Sequence, residues 1–393
     1  MWRLVLFLFG IGYTLGTNQG GAVPIEILSI DIGVLMAVLS IIAISLKNQQ
    51  FVIPQTVVSY NKPIFIWGFF VIIGELTRIL FFPGENFFDE AQKPFLGLFR
   101  VLFYSLIVSW YTLLLKERIN LVSLFIWLCG GLLFGIIFNW ANFSLIQFRE
   151  LLGKNVLAAQ LCWLGFPMIF LPIFYFKNNY SKFFLSLFIF FLVLVTMIFT
   201  GSKAGLVSLI VTLFFYILFL SEKRLALMIL FLFLVVVVSA IPTTDFIFQY
   251  VFDEIMYSIN NNSMTRRLDL VLSGITSGIN FPFGLGSDGV IFGQKHASNY
   301  LELSLDYNQD LHSGLIEFFV WGGVLGFPFI LFFYLRPLFI FLVNKKTIKS
   351  SWSIPIFMSV LAGVIFSFSL VLALTLPAVF FMHFVLFSLA KDR

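Results

Sequence analysis

The sequence predicts an all-α, polytopic membrane protein of about 12 transmembrane helices with one long, partly helical extracytoplasmic loop. Three observations predict it. Hydrophobic residues make up 60% of the chain and charged residues only 11%, and mean hydropathy is +1.02, whereas a soluble domain carries about 25% charged residues. Apolar runs of about 17–25 residues recur from one end to the other, the length a helix needs to cross roughly 30 Å of hydrocarbon. They lack the period-two alternation of barrel strands. The charges between the runs also sort by side, as the elements taken in order show.

The first apolar run follows Trp2 and Arg3 and reads as a spanning helix over 2–17, not as a signal peptide, because no small-residue cleavage site follows it cleanly. Further helices are expected at 24–46, 63–82, 95–115, 119–138, 155–176, 183–200, 204–221, 225–242, 313–343, 353–370 and 372–390. Numbering the loops alternately puts Arg3, Lys47, Lys62, Lys116, Lys177, Lys345 and Lys391 on one side and most acids, among them Glu85, Asp89, Glu150, Asp253, Asp288 and Asp310, on the other. The basic side is cytoplasmic by the positive-inside rule, so both termini lie inside. Three parts follow: N-terminal transmembrane helices over 1–242, the large loop over 243–311, and C-terminal transmembrane helices over 312–393.

That loop departs from the other connections in length and polarity, which makes it the natural seat of chemistry or recognition. It has internal organisation: 263–279 reads as a surface helix opened by Ser263 or Thr265, stopped at Pro282 and followed by Gly284 and Gly286 as turn residues. The net charge of +5 is spread over short loops, without the basic and aromatic patch of a nucleic-acid surface. Cys129 and Cys162 sit inside apolar runs and read as small core residues. No zinc-ligand spacing, EF-hand, P-loop or dinucleotide glycine pattern occurs, so neither a metal nor ATP chemistry is expected.

On the outer side, few residues are suited to chemistry. Arg149 precedes the helix that carries Asn155, Lys203 lies in the glycine-punctuated break TGSKAG, and Arg266 and Arg267 lie in the large loop. Guanidinium groups match phosphate oxygens bidentately, so arginines from separate segments on one face point to a phosphate-bearing ligand. Taken singly, each also suits a lipid headgroup. Of three histidines, His383 reads as a packed helix residue and His296 as a solvated one. His312 has Asp310, Ser313 and Glu317 around it in sequence, an environment able to orient an imidazole. Within the apolar runs, Glu75 and Arg78 are spaced to neutralise one another, and Arg100 either lines a lipid groove or pairs with Asp31.

Four segments, RELLGKN at 149–155, TGSKAG at 200–205, TRRLDL with PFGLGSDG over 265–289, and DLHSGLIEFFVWGGVLG at 310–326, resemble in order and spacing the O-antigen polymerase and O-antigen ligase superfamily, the Wzy and WaaL proteins. Where that family usually reads Ser-Arg-Gly this chain carries Lys203, and where the family's histidine is commonly followed by Asn it carries Ser313. The resemblance implies a GT-C-like membrane glycosyltransferase in the bacterial inner membrane, with its active site facing the periplasm. Its donor would be an undecaprenyl-pyrophosphate-linked oligosaccharide, with membrane lipids as surroundings, no cofactor, no nucleic acid, and room for a chain-length regulator as partner. Arg149 and Arg267, with Arg266 and Lys203 near them, would hold the pyrophosphate. His312 would accept the acceptor proton, with Asp310 or Glu317 as alternative bases. The short, Phe-rich chain favours a polymerase over a ligase. A polysaccharide flippase is the alternative from another class, though no internal repeat of the kind found in transporters is evident.

Overall fold

A computed structural model describes residues 1–12, 25–47, 52–81, 87–142, 154–200, 202–220, 263–286, 313–344, 351–369 and 376–391. Among them there is helix, turn and coil but no strand. In chain order the helices are α1 (Trp2–Ile11), α2 (Ile25–Lys47), α3 (Gln55–Phe81), α4 (Phe87–Lys116), α5 (Leu121–Asn142), α6 (Lys154–Tyr175), α7 (Asn179–Thr200), α8 (Lys203–Phe215), α9 (Ser263–Asn280), α10 (Gly314–Asn344), α11 (Ser353–Ser369) and α12 (Pro377–Lys391). A π-helical turn, Tyr216–Leu220, extends α8.

Among the described residues, six helical stretches are long and apolar enough to cross a membrane: Gln55–Leu80, Gly97–Lys116, Leu121–Ala141, Leu157–Tyr175, Asn179–Ile198 and Gly314–Asn344. Four shorter apolar helices accompany them. The expected helix at 225–242 lies outside the described residues. Exposed Phe183, Phe184, Phe188 and Phe191 stud α7, as suits a helix whose outer face meets hydrocarbon instead of water.

Helix ends differ from the sequence expectation in an instructive way. α3 starts at Gln55 and α4 at Phe87, about two turns before the expected starts at 63 and 95, because hydropathy marks the edge of the hydrocarbon whereas backbone hydrogen bonding continues into the polar layer. Pro63 does not open α3 but sits inside it. The opposite correction applies to α1, expected to run to residue 17. It ends at Gly12, whose φ of 52° is left-handed, so its 10 residues span only about 15 Å. The carbonyl of Phe9 near that end accepts from Gln160 Nε2 at 3.3 Å, so the buried amide of α6 supplies a bond the ended helix no longer makes.

The bundle has two distinguishable ends. At one, Lys116 Nζ donates to Ser388 Oγ at 3.2 Å, Lys391 Nζ to Ser59 Oγ at 3.4 Å, and Asn344 Nδ2 to the carbonyl of Ala390 at 2.9 Å. Lys116 and Lys391, which the charge pattern sorts to one side, thus share this basic end. Phe341 stacks on Phe357 at 4.5 Å, Trp352 stacks on Phe125 at 4.6 Å and packs at a tilt on Phe174 at 4.4 Å, and Phe215 lies 5.9 Å from Phe357. These contacts bring the ends of α6, α8 and α10 and the starts of α5 and α11 to the same level.

Small residues let the helices approach. A Cβ on Gly10 would stand 1.9 Å from the carbonyl oxygen of Leu128, and one on Gly131 would stand 2.1 Å from that of Phe7. The backbones of α1 and α5 therefore touch, the kind of packing that glycine permits between membrane helices. Gly130 looks elsewhere, and its Cβ would meet only a Phe7 ring carbon at 4.0 Å. Gly131→Val is expected to destabilise the detergent-purified protein by about 2 kcal/mol or more and so lower its thermal midpoint, while Gly130→Ala does not lower it; intrinsic fluorescence on heating compares the two.

Candidate functional site

The end opposite the basic one is organised by a broken helix. Gly323, in the middle of VWGGVLG, has φ 64° and ψ −175°, which splits α10 after Gly322. A helix broken inside a membrane strands carbonyls and amides, and each stranded group costs several kcal/mol in hydrocarbon. Here the segment after α9 repairs the break. Leu285 N donates to the carbonyl of Val320 at 2.9 Å, Gly286 N to that of Trp321 at 3.1 Å, and Leu325 N to that of Pro282 at 3.1 Å. Pro282–Gly286 thus supplies partners for the Val320 and Trp321 carbonyls and the Leu325 amide on either side of the break at Gly323.

This exchange brings backbones to within contact, which explains the glycines. Gly284 (φ 84°) and Gly286 (φ 76°) take the left-handed conformation, as their reading as turn residues requires. A Cβ on Gly323 would stand 2.2 Å from the Pro282 carbonyl oxygen, and one on Gly74 of α3 would stand 2.7 Å from the Gly286 nitrogen. Three segments, from α3, the loop and α10, therefore close on one another without side chains between them. Around the junction, Trp67 stacks on Trp321 at 6.1 Å, and Phe70 stacks on Phe283 and Phe329 at 6.3 and 5.9 Å.

Directly beneath lies an ion pair. Arg78 Nε donates to Glu75 Oε2 at 3.0 Å, and both side chains are 1% exposed. A Cβ on Gly286 would meet the Glu75 carboxyl carbon at 2.1 Å, so the carboxylate rests against the loop backbone. The neutralisation expected from sequence is present. What sequence reasoning missed is that the pair supports the PFGLG turn; the adjacency of Gly74 and Glu75 in an otherwise apolar run was the available signal.

The expected surface helix is also present, as α9. It packs along α10, with Leu270 and Leu285 closing on Val320, and Phe281, Ile316 and Trp321 around them. Arg266 and Arg267 lie on α9 one turn before Leu270. Glu317, half-buried, is in the first turn of α10, and its amide donates to the Ser313 carbonyl at 3.0 Å.

The TGSKAG break is a tight joint. α7 ends at Thr200 and α8 begins at Lys203. Ser202 caps α8 by accepting from Gly205 N at 3.3 Å, and its own amide donates to Thr200 Oγ1 at 3.3 Å. Gly205 sits against Met197 and Ala158, which sets this joint beside the start of α6, the helix that follows Arg149. Since α6 and α8 end at the basic end, their starts lie at the same end as the α10 break. The elements bearing Lys203, Arg266, Arg267 and Glu317 thus share one end of the bundle. Arg149, Asp310, His312 and His296 lie outside the described residues.

Other residues that the sequence singles out within the apolar runs are paired or packed where they are described. Arg100 Nη2 donates to Asp31 Oδ1 and Oδ2 at 2.6 and 2.5 Å, with Tyr104 bonded to both partners, so of its two expected roles Arg100 takes the pairing one. His383 is fully buried, held between Tyr60 Oη at 3.0 Å and the Tyr334 carbonyl at 3.2 Å, a packed residue as read from sequence. Cys129 and Cys162 are buried free thiols. Among the described residues no three His, Cys, Asp or Glu side chains come together as metal ligands.

Residues 188–333 match the family described as O-antigen ligase, Wzy_C, so the resemblance read from the motifs holds for that part of the chain. No curated protein matches the chain.

Two substitutions test the junction. Gly323→Ala forces a left-handed alanine into the Pro282 carbonyl and is expected to destabilise by about 3 kcal/mol or more. Glu75→Gln removes the carboxylate that Arg78 Nε bonds, and breaking a buried pair of this kind costs about 3–5 kcal/mol. Gly97→Ala, whose Cβ meets nothing within 4 Å, serves as the neutral comparison in the same thermal unfolding assay.

Proposed function

We propose that this protein is a membrane glycosyltransferase that polymerises a surface polysaccharide, moving a glycan from a polyprenyl-pyrophosphate carrier to a sugar hydroxyl of another lipid-linked repeat unit. One observation carries the reading: described parts of the segments that resemble the O-antigen polymerase and ligase superfamily lie at a single end of the bundle, within or beside the part that matches the O-antigen ligase family. A lipid-linked donor fits such a location, because it reaches a site built at the membrane surface without a soluble nucleotide sugar.

The chemistry follows from the residue types. The acceptor hydroxyl attacks the anomeric carbon of the donor, His312 takes its proton, and the glycosidic C–O bond breaks with its electron pair moving to the pyrophosphate oxygen. Arg149 and Arg267, assisted by Arg266, stabilise that growing charge through guanidinium hydrogen bonds, and Lys203 adds a further cation. Asp310 or Glu317 serves as base if the imidazole does not. A single displacement inverts the anomeric centre, since no enzyme nucleophile is called for. In this reading the site faces the periplasm from the bacterial inner membrane, both termini are cytoplasmic, and the chain crosses the membrane about 12 times. The chain divides at 1–242, 243–311 and 312–393, and a chain-length regulator is a natural partner.

The description of the matching family favours a second reading, transfer of finished glycan to lipid A core. Surface polysaccharide from a deletion strain separates the two: single-repeat chains mean a lost polymerase, bare core a lost ligase.

With purified protein and lipid-linked repeat units, His312→Ala is expected to slow transfer by about 10²–10⁴-fold. The double variant with Arg267→Ala should be slower still. Full-length polymer made by the double variant would end this mechanism.

A further inference from the structure

The basic end carries a second constellation, remote from the glycosyl-transfer reading. Pro63, inside α3, has no amide hydrogen, so the Ser59 carbonyl four residues earlier lacks its helical donor. Arg336 of α10 fills the vacancy: Nη1 donates to the Ser59 carbonyl at 2.8 Å and Nη2 to Ser59 Oγ at 3.2 Å. Lys391 of α12 donates to the same hydroxyl at 3.4 Å. Two cations therefore stand no more than two hydrogen-bond lengths apart. They share a ring as well, since each head group lies 4.8 Å from the centroid of Phe387. Among the described residues neither forms an ion pair.

Like charges this close repel, and neutral oxygen and an aromatic face only partly relieve that. Both heads keep N–H donors that no described acceptor uses, because a guanidinium has five and an ammonium three. Beside them runs a groove of about 510 Å³ lined by Phe339, Ile340, Val343, Asn344 and Lys391. Phe339 and Val343 are 65% and 80% exposed, on a helix long and apolar enough to cross the membrane. A ligand matched to this surface has an anionic head for the two cations and hydrocarbon for the groove.

We infer that the basic end binds an anionic phospholipid, its phosphate bridging Arg336 and Lys391 and an acyl chain lying along Phe339, Ile340 and Val343. The phosphate oxygens accept from both heads and cancel their repulsion, and the lipid ties α3, α10 and α12 together where they meet. A phospholipid is favoured over a free anion because the apolar groove opens directly beside the cations.

Native mass spectrometry of the full-length protein from nanodiscs of equal parts phosphatidylglycerol and phosphatidylcholine tests this. Wild-type protein should retain phosphatidylglycerol in preference to phosphatidylcholine. Lys391→Gln, an exposed and structurally mild change, should weaken that retention by about tenfold, the equivalent of one charge-assisted contact; Lys391→Arg should restore it, and Arg336→Gln with Lys391→Gln should abolish it. A thermal-shift series keeps the test independent of the double variant's folding: phosphatidylglycerol should raise the midpoint of wild-type protein more than that of Lys391→Gln. Equal retention of the two lipids, or indifference to Lys391→Gln in both measurements, overturns the proposal. So does inorganic phosphate giving the same stabilisation as phosphatidylglycerol, which would leave an anion site without a lipid.

Discussion

Backbone hydrogen bonding in a medium without water is the constraint on which the rest of this structure depends. Gly323 breaks α10, and a break in hydrocarbon survives only if protein supplies the missing partners. Pro282, Leu285 and Gly286 supply them. The exchange fixes the position of the loop segment to within a hydrogen-bond length, so a polar loop and a spanning helix become one folding unit.

The consequence reaches outward from the junction. Because the 282–286 segment is pinned, α9, which leads into it, is held against α10 by Leu270, Val320 and Ile316. Because Gly74 admits the loop backbone, α3 is held there as well, and the Glu75 and Arg78 pair is sealed under Gly286. A buried pair of this kind contributes little by itself when compared with apolar packing. Its effect is on specificity: the carboxylate occupies the space next to Gly286, and no side chain larger than hydrogen fits there.

The sequence made the helical class legible, since long apolar runs and scarce charge leave few alternatives, and it made α9 and the turn glycines legible through amphipathic pattern and the Pro-Gly punctuation after it. The pairing of Asp31 with Arg100 was readable as one of two options. Helix ends were not, because apolarity stops where hydrocarbon stops while α3 and α4 continue, and because Gly12 halts α1 within a run that hydropathy reads through. The role of Gly323 was equally hidden. A glycine pair in an apolar run is common in membrane helices, and only the third dimension shows that this one is opened by a loop about 40 residues earlier in the chain. For the candidate site, sequence named the segments, and the fold shows why described parts of them share an end: helices alternate in direction, so the starts of α6, α8 and α10 and the end of α3 fall on the same side.

The same alternation sets where charge is tolerated within the spans. Sixteen residues separate Asp31 from Lys47, Arg100 from Lys116 and Glu75 from Ser59, which at helical rise is about 24 Å in each case. Both ion pairs therefore sit at a similar height, near the boundary of the hydrocarbon far from the basic end. There a carboxylate and a guanidinium neutralise each other before either meets the full cost of the apolar layer. At the basic end the arrangement is reversed, with Arg336 and Lys391 converging on Ser59 and no carboxylate among the described residues paired with them. Among the described residues, the pairs Asp31–Arg100 and Glu75–Arg78 thus lie at one height, and Arg336 and Lys391 converge without a paired carboxylate at the other. Cations held apart from acids in this way are the asymmetry that the positive-inside rule reads.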